Sequence, residues 1–322
     1  MYLNSLEHIY MKQKIIAIVG PTASGKSDYA VTVALRLAQG KPNKIRGGEI
    51  ISADSRQVYR GLDLGSGKIT KREMKGVPHH LLNVASPKKT FTVADYRRKA
   101  RKTLLDIARR GKFPIVCGGT GHYIDALLYD YDLPQVKPNE KLRKALYLKP
   151  TEELFAELSL KDPLRATSID RLNRRRLVRA LEIVLTTKKP VPSLPIEKKH
   201  WKNFEIIKIG ISRTPNDLKM RISKRLRERI KKGMIAEVRH LKKHGVSDNR
   251  LETLGLEYRR ITEYLSGKIT KAEMLRSIEA ESIQYAKRQM TWWKKDVEIT
   301  WFHDTRSALR IARKKCAQGE RV

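Results

Sequence analysis

The chain has few cysteines and no long hydrophobic run among its 322 residues. Cys117 and Cys316 lie far apart in the sequence and form no metal-binding spacing, so a reducing compartment is the simplest setting. No apolar stretch approaches the roughly 20 residues that a transmembrane helix needs, and the first residues lack the apolar core of a secretory signal. We therefore expect a protein of the reducing cytoplasm with no membrane partner.

Acidic residues are also scarce: 34 Asp and Glu stand against 69 Lys and Arg, for a formal net charge of +35. Hydrophobic residues make up 40% of the chain, so we expect a folded protein of one large or two ordinary domains. A positive excess of this size favours a polyanionic partner, with nucleic acid as the first candidate.

The clearest motif is a phosphate loop that matches G-x-x-x-x-G-K-[ST], between an apolar strand pattern and a helical pattern. Its residues are Gly20, Pro21, Thr22, Ala23, Ser24, Gly25, Lys26 and Ser27. In such loops the backbone N–H groups and the lysine hold phosphate oxygens, and the final hydroxyl binds Mg²⁺. The motif indicates a bound phosphate but leaves open whether it belongs to ATP or to another diphosphate.

Strand and helix patterns alternate through the first part of the chain, from "KIIAIVG" through "GEIISADS" to "FPIVCGGTG". This alternation predicts an α/β fold with a P-loop NTPase-like parallel sheet. Ligands bind at the carboxyl ends of parallel strands. Lys26, Asp54 and Thr120 each follow one of these ends, so we expect the three to converge.

The pattern changes after Pro134, where only helical periodicity continues until a strand at 204–212. Two helices are then predicted over 215–245 and 270–295, and "VEITWF" is predicted as the last strand. We interpret the helical stretch as an all-helical insertion into the core. The predicted division is a first core part at 11–134, the insertion at 135–203, a second core part at 204–303 and a tail at 304–322.

Two polar residues carry the candidate chemistry. Asp54 is interpreted as a Mg²⁺ carboxylate, as a general base that takes a proton from an acceptor, or as the cap of a turn. Thr120, in "GGTG", either presents its hydroxyl to the reacting groups or only forms a turn. The strand "FPIVCGG" has no acid at its end, which weakens an ATPase interpretation.

Two segments concentrate the positive charge. "RLNRRRLVRALEI" carries five arginines, and 219–232 carries eight basic residues with Glu228 as the single acid. Acids are too sparse to neutralise them by i,i+4 pairing, so phosphate contact is favoured over a merely solvated face. Trp292 and Trp293 lie among cations in "KRQMTWWKK", where base stacking and core packing both remain open.

Taken together, the motifs resemble the tRNA dimethylallyltransferase family. The matching segments run in order from about 15 to 302: "GPTASGKS", "EIISADSRQVYRGLDLGSGK", "GVPHHLLNV", "TVADYRRKA", "VCGGTGHYIDALL", "RRRLVRALEI" and "QYAKRQMTWWKK". The resemblance implies transfer of a dimethylallyl group from dimethylallyl diphosphate to the exocyclic amine of the adenosine on the 3′ side of the anticodon. It also implies Mg²⁺ as the cofactor and the tRNA anticodon stem-loop as the partner, and we expect a monomer.

The resemblance assigns roles to individual residues. The phosphate loop, with Lys26, would hold the diphosphate, Ser27 would hold the metal, and Arg225 would reach the diphosphate from a distant segment. Asp54 would be the general base, with Thr120 beside the reacting groups. The residues implied to contact tRNA are Asp54, Ser55, Arg56, Gln57, Thr120, Arg143, Arg175, Arg176, Leu177, Val178 and Arg179.

Other functions remain in view. A small-molecule kinase explains the phosphate loop and Asp54 but neither the charge nor the inserted helices. A nucleic-acid-binding P-loop ATPase explains the charge but lacks a clear acid at the end of its third strand. An RNA-binding protein without activity leaves the intact Lys26 and Ser27 without a purpose.

Overall fold

A computed structural model describes residues 13–38, 47–130, 133–134, 136–192, 201, 204–304 and 307–309. These residues fall into two compact units, one within Met1–Tyr129 and His200–Val322, the other within Asp130–Lys199. The sequence predicted an insertion over 135–203 and a tail over 304–322. Most of that tail lies outside the described residues.

The first unit is built on a sheet in which, among the described residues, all strand pairs are parallel. The strands are β1 (Gln13–Val19), β2 (Gly48–Ser52), β3 (His79–His80), β4 (Phe113–Cys117), β5 (Phe204–Ile211) and β6 (Thr300–Phe302). Their order is β3-β2-β4-β1-β5-β6. The predicted parallel α/β sheet is confirmed, and β3 was missed because two residues carry no periodic pattern.

The sheet is buried in the core because its strands are almost continuously apolar. Ile16 and Ile18 of β1, Ile115 of β4 and Ile209 of β5 are wholly buried, as expected when helices cover both faces of a parallel sheet. Burial of each such side chain contributes roughly 1.5–3 kcal/mol. The functional loops therefore begin from a rigid edge.

Thirteen helices occur in the described part of the chain. They are α1 (Lys26–Ala38), α2 (Lys71–Met74), α3 (Val93–Arg109), α4 (Gly121–Leu128), α5 (Glu140–Leu148), α6 (Thr151–Lys161), α7 (Pro163–Ser168), α8 (Arg174–Thr187), α9 (Pro215–Lys231), α10 (Met234–Lys243), α11 (Asp248–Leu254), α12 (Leu256–Leu265) and α13 (Lys271–Trp293). None of them is long and apolar enough to cross a membrane.

The predicted helix over 215–245 is wrong in one respect, because it is two helices. Gly233 has φ +97° and separates α9 from α10. This left-handed backbone ends a helix and favours glycine. The predicted helix over 270–295 is confirmed as α13, whereas α11 and α12 were not predicted.

The second unit contains α5 to α8 around a small core of its own. Leu154, Leu158, Leu177 and Leu181 are wholly buried there. A buried carboxylate, Glu182, accepts hydrogen bonds from the Asn139 N–H at 2.7 Å and from two arginine side chains. The unit is thus held by apolar packing and by one charge that is fully hydrogen-bonded.

Candidate active site

The phosphate loop connects the end of β1 to the start of α1. Ser24 is completely buried, and its N–H donates to the Pro21 carbonyl at 3.3 Å, which closes the turn. Lys26 Nζ donates to the same carbonyl at 3.1 Å. Burial lowers the pKa of Lys26, and the Arg225 charge adds to this, while the Asp54 carboxylate opposes it. The ammonium therefore lies within electrostatic reach of both residues.

Arg225, on α9, lies close enough to Lys26 for its charge to lower the pKa of that residue, although it lies about 200 residues further along the chain. Its guanidinium lies against Gly67, and burial together with the Arg229 charge lowers its pKa. Among the described residues, no side chain forms an ion pair or hydrogen bond with Arg225. A desolvated cation without a partner is costly unless an anion binds beside it. Lys26 and Arg225 together therefore form a candidate site for a polyanion.

The loop beside Arg225, at residues 63–65, is anchored by neighbouring helices. The Glu237 carboxylate accepts hydrogen bonds from the N–H groups of Asp63, Leu64 and Gly65, at 3.0, 2.6 and 2.9 Å. Arg229 Nη1 donates to the carbonyls of Leu64 and Gly65, at 3.1 and 2.9 Å. The loop beside Arg225 is thus fixed on both its N–H and its carbonyl sides.

Asp54 lies just beyond the end of β2 with its two oxygens in different situations. Oδ1 accepts hydrogen bonds from the N–H groups of Arg56 and Gln57, at 2.8 and 3.3 Å. No described residue donates a hydrogen bond to Oδ2. The turn-capping role and a proton-accepting role, which the sequence left as alternatives, are therefore compatible in one side chain.

Thr120 ties the end of β2 to the turn after β4. Its Oγ1 accepts a hydrogen bond from the Ser55 N–H at 3.1 Å, and its own N–H donates to the Ala53 carbonyl at 3.2 Å. The hydroxyl does not cap α4. Lys26, Asp54 and Thr120 thus lie at the same edge of the sheet, and Gln57 extends this edge by donating to the Gly67 carbonyl at 3.4 Å.

Two residues of α13 complete the site, and sequence reasoning assigned neither of them a role. The Tyr285 hydroxyl is hydrogen-bonded to Thr120, and burial and the Asp54 charge raise the pKa of Tyr285 to about 12. Gln289 bonds to the phosphate loop and to the turn after β4. The only signal for them was their place within "QYAKRQMTWWKK". Helical periodicity shows which face is buried but not which distant loops that face contacts.

The tryptophans at the end of α13 have different environments. Trp293 is buried at 1% exposure and belongs to the core. Trp292 is 38% exposed and its indole lies against Gly121. Core packing therefore accounts for Trp293, and Trp292 supports the start of α4.

The residues present fit a magnesium ion bound together with phosphate. Ser27 lies exposed in the first turn of α1, beside Lys26, and its hydroxyl is hydrogen-bonded to the Cys117 thiol. Within the described ranges, no group of three or more His, Cys, Asp or Glu residues could hold a metal without the substrate. Mg²⁺ often uses one or two protein ligands and completes its shell with phosphate oxygens and water. A single hydroxyl beside a phosphate cradle matches that mode.

The predicted RNA-contacting residues of α8 divide into two groups. Arg175 and Arg176 are exposed. Leu177 and Val178 are buried at 0% and 2% exposure, so burial in the core of this unit counts against any RNA contact by their side chains. The pattern "RRRLVR" contains one helical turn, and the apolar side of that turn faces inwards.

Arg143 and Arg179 are both paired with the buried Glu182. Arg143 Nε and Arg179 Nη1 contact the two carboxylate oxygens at 2.8 and 2.5 Å. The hydrogen bond to Glu182 raises the pKa of Arg143. These two arginines therefore stabilise the helical unit.

The fold and the site define a phosphate-loop α/β protein in which a carboxylate lies within electrostatic reach of Lys26, and in which neither Lys26 nor Arg225 has an ion pair with a described residue. The IPP transferase family model matches residues 57–296. The chain is 40% identical over 292 residues to tRNA dimethylallyltransferase 1 of Citrifermentans bemidjiense, over 90% of this chain and 92% of that one. It is 37% identical over 296 residues to the tRNA dimethylallyltransferase of Anoxybacillus flavithermus, over 92% of both chains.

A solved structure gives the same result. The full-length tRNA isopentenylpyrophosphate transferase of Bacillus halodurans has a TM-score of 0.69 and 34% identity, over 96% of this chain and 97% of that one. The chain therefore belongs to the IPP transferase family, that of the tRNA dimethylallyltransferases.

Proposed function

We propose that this protein transfers the dimethylallyl group of dimethylallyl diphosphate to the exocyclic amine of the adenosine on the 3′ side of the anticodon in tRNA. Diphosphate is released. The proposal is carried by two features that lie close together. Lys26 and Arg225 form a cationic cradle in which neither has an ion pair with a described residue, and the Asp54 carboxylate has an Oδ2 that accepts no hydrogen bond from a described residue. The family membership of the chain supports the same activity.

The cradle stabilises the leaving group. As the bond between the allylic carbon and the diphosphate oxygen breaks, negative charge grows on the diphosphate. In this proposal the N–H groups at the start of α1, together with Lys26 and Arg225, stabilise that charge, because preorganised donors and cations need little rearrangement as it develops. Mg²⁺ held by Ser27 and phosphate oxygens would neutralise part of the same charge.

Asp54 serves the acceptor. The adenine amine attacks the allylic carbon, a C–N bond forms, and the amine proton passes to Asp54 Oδ2. The reacting atoms must be held about 3–3.5 Å apart for this attack. The adenine has to leave its stack in the anticodon loop to enter the site. This costs a few kcal/mol, which contacts between the protein and the RNA offset. Ser55, Arg56 and Gln57 follow Asp54 directly and are proposed to contact the extruded nucleotide.

We also propose that the enzyme acts as a monomer in the cytoplasm. The proposed donor-site residues and the proposed base all belong to one chain, so no second copy is needed to complete the chemistry. A low cysteine content agrees with a reducing compartment.

The test uses unmodified tRNA and labelled dimethylallyl diphosphate, with ATP in a parallel reaction. Label on tRNA is the expected result, and ATP turnover without label transfer would favour a kinase or an ATPase. Asp54→Asn keeps an oxygen for the N–H groups of Arg56 and Gln57 but removes the base. We expect kcat to fall by about 10²–10⁴-fold with tRNA affinity retained.

Asp106→Asn, on the exposed side of α3, is the matched control and should leave both parameters unchanged. An Asp54→Asn variant with the wild-type kcat would remove Asp54 as the base.

A further inference from the structure

Gln289 connects two loops that come from different strands of the sheet. Its side-chain oxygen accepts a hydrogen bond from the Thr22 N–H in the phosphate loop at 2.7 Å. Its side-chain nitrogen donates to the Gly119 carbonyl in the turn after β4 at 2.8 Å. The residue is 6% exposed, so these bonds are shielded from water. One amide thus links the proposed diphosphate side of the site to the turn that carries Thr120.

The turn after β4 is shaped around this amide. A Cβ on Gly119 would overlap the side-chain nitrogen of Gln289, so only glycine leaves the amide its place. Along the same face of α13, Tyr285 lies one turn before Gln289 and is hydrogen-bonded to Thr120. Trp292 lies one turn after it, against Gly121. Three side chains of α13, spaced i, i+4 and i+7, therefore contact the turn after β4 at three consecutive residues.

The Thr22 N–H donates its hydrogen bond to Gln289, so it is not available to a phosphate oxygen. The other partner, the Gly119 carbonyl, is an acceptor and cannot bind an anion. Gln289 therefore acts on the reaction through the two loops. A misplacement of about 1 Å between reacting groups is enough to slow a reaction roughly 10²-fold.

We propose that Gln289 is a positioning residue that fixes the distance between the diphosphate cradle and the Thr120 side of the active site. The inference rests on the proposed function and deepens it. Without the amide, each loop keeps its own residues and its own ligand contacts. What is lost is the alignment of the allylic carbon with the adenine amine, and a carbocation-like centre that is misaligned with the amine reacts with water instead.

The experiment compares Gln289→Met with the wild-type protein. Methionine has a similar volume and forms neither hydrogen bond. We expect kcat for transfer to fall by about ten-fold or more, while the Kd values for inorganic diphosphate and for an anticodon stem-loop stay within about two-fold. The ratio of dimethylallyl diphosphate hydrolysed to groups transferred should rise.

Two further variants sharpen the test. Gln289→Glu retains an acceptor for the Thr22 N–H but has no donor for the Gly119 carbonyl. Its transfer rate should therefore also fall, and its coupling, the share of cleaved dimethylallyl diphosphate whose group reaches tRNA, should decrease. Gln284→Met changes an exposed glutamine of the same helix and should leave rate and coupling unchanged. Thermal unfolding and active-site titration with diphosphate correct each rate for the fraction of folded protein.

A merely structural role would lower the amount of folded enzyme but leave kcat per folded molecule and the hydrolysis ratio unchanged, and that result would overturn the inference. The inference would also be overturned if the wild-type protein transfers the group to tRNA and Gln289→Met does so at the same rate and with the same hydrolysis ratio. That result would leave the proposed function intact. A wild-type protein that transfers no dimethylallyl group to tRNA would overturn both.

Discussion

Single side chains in this site divide their atoms between structure and chemistry. Asp54 uses Oδ1 to hold the turn after β2, and its Oδ2 accepts no hydrogen bond from the described residues. Thr120 uses one lone pair for the Ser55 N–H, which orients the hydroxyl. Two residues that a sequence would class as turn formers are thereby held in one rotamer each. Little conformational freedom is then left to lose when substrate binds.

Tyr285 extends this ordering of Thr120. Burial and the Asp54 charge raise the pKa of Tyr285 to about 12, so its hydroxyl remains protonated at neutral pH. In Tyr285→Phe the ring remains but its hydrogen bond to Thr120 is lost. Because a hydrogen bond of this kind contributes about 0.5–1.5 kcal/mol, we expect kcat to fall about three- to ten-fold with little change in KM for tRNA.

The measurement is steady-state transfer at pH 7, accompanied by a double-mutant cycle with Thr120→Val. If Tyr285 acts through Thr120, the two changes together should cost little more than Thr120→Val alone. Tyr264→Phe alters a partly exposed tyrosine of α12 and serves as the control. Strictly additive effects in the cycle would show that Tyr285 acts by another route.

At the scale of elements, β2 has the proposed general base at one end and a structural carboxylate at the other. Asp54 follows its carboxyl end, and Glu49 lies near its amino end with 4% exposure. Arg110 donates to both carboxylate oxygens of Glu49, at 2.5 and 2.7 Å, and His80 approaches one of them at 2.7 Å. The hydrogen bond with Arg110, helped by His80, lowers the pKa of Glu49 from 4.5 to about 2 despite its burial.

This shift gives a pH dependence of stability with a definite sign. The folded-state pKa of Glu49 lies below its unfolded value, so its stabilising contribution is complete above about pH 4.5 and is lost as the pH falls towards 2. We expect the free-energy difference of unfolding between wild type and Glu49→Gln to shrink over that interval, as measured by urea denaturation. Glu152→Gln, at an exposed position of α6, should show no such change. A constant difference from pH 5 to about pH 2.5 would contradict the shift.

An element could be predicted from the sequence where its pattern is local, and could not where it depends on contacts with distant segments. The apolar runs of β1, β2 and β4 are local patterns, and they were enough to predict the parallel sheet. The break at Gly233 was missed because the run of basic residues before it hides the apolar spacing. The helices α11 and α12 were missed because they span only 7 and 10 residues, which is too short for a clear periodic pattern. Arg225 and Gln289 depend on contacts between distant segments, and neither one's contacts can be found by periodicity.

At the scale of the whole molecule, several acids are taken up by ion pairs within the fold. Glu182 holds two arginines of the helical unit, and Asp296 pairs with the buried Lys208 at 2.7 Å. Glu257 contacts Arg229 at 3.2 Å. Because the chain has only 34 acids against 69 basic residues, such pairing leaves much of the positive charge without a counter-charge. That charge is available to RNA phosphates, and its effect must then weaken as salt increases.

Arg175 and Arg176 allow this electrostatic contribution to be measured at one place. Both are exposed on α8 and, unlike Arg179, form no ion pair with Glu182. Each phosphate contact in single-stranded RNA contributes about −0.7 to the slope of log K against log salt concentration. If each arginine neutralises one phosphate, replacing both with alanine should make this slope less negative by about 1.4 for an anticodon stem-loop. Replacing both with lysine keeps the charge and should keep the slope, which separates charge from arginine-specific hydrogen bonding. Affinity titrations from about 50 to 200 mM salt give the slopes. An alanine variant with the wild-type slope would place the RNA on another surface of the protein.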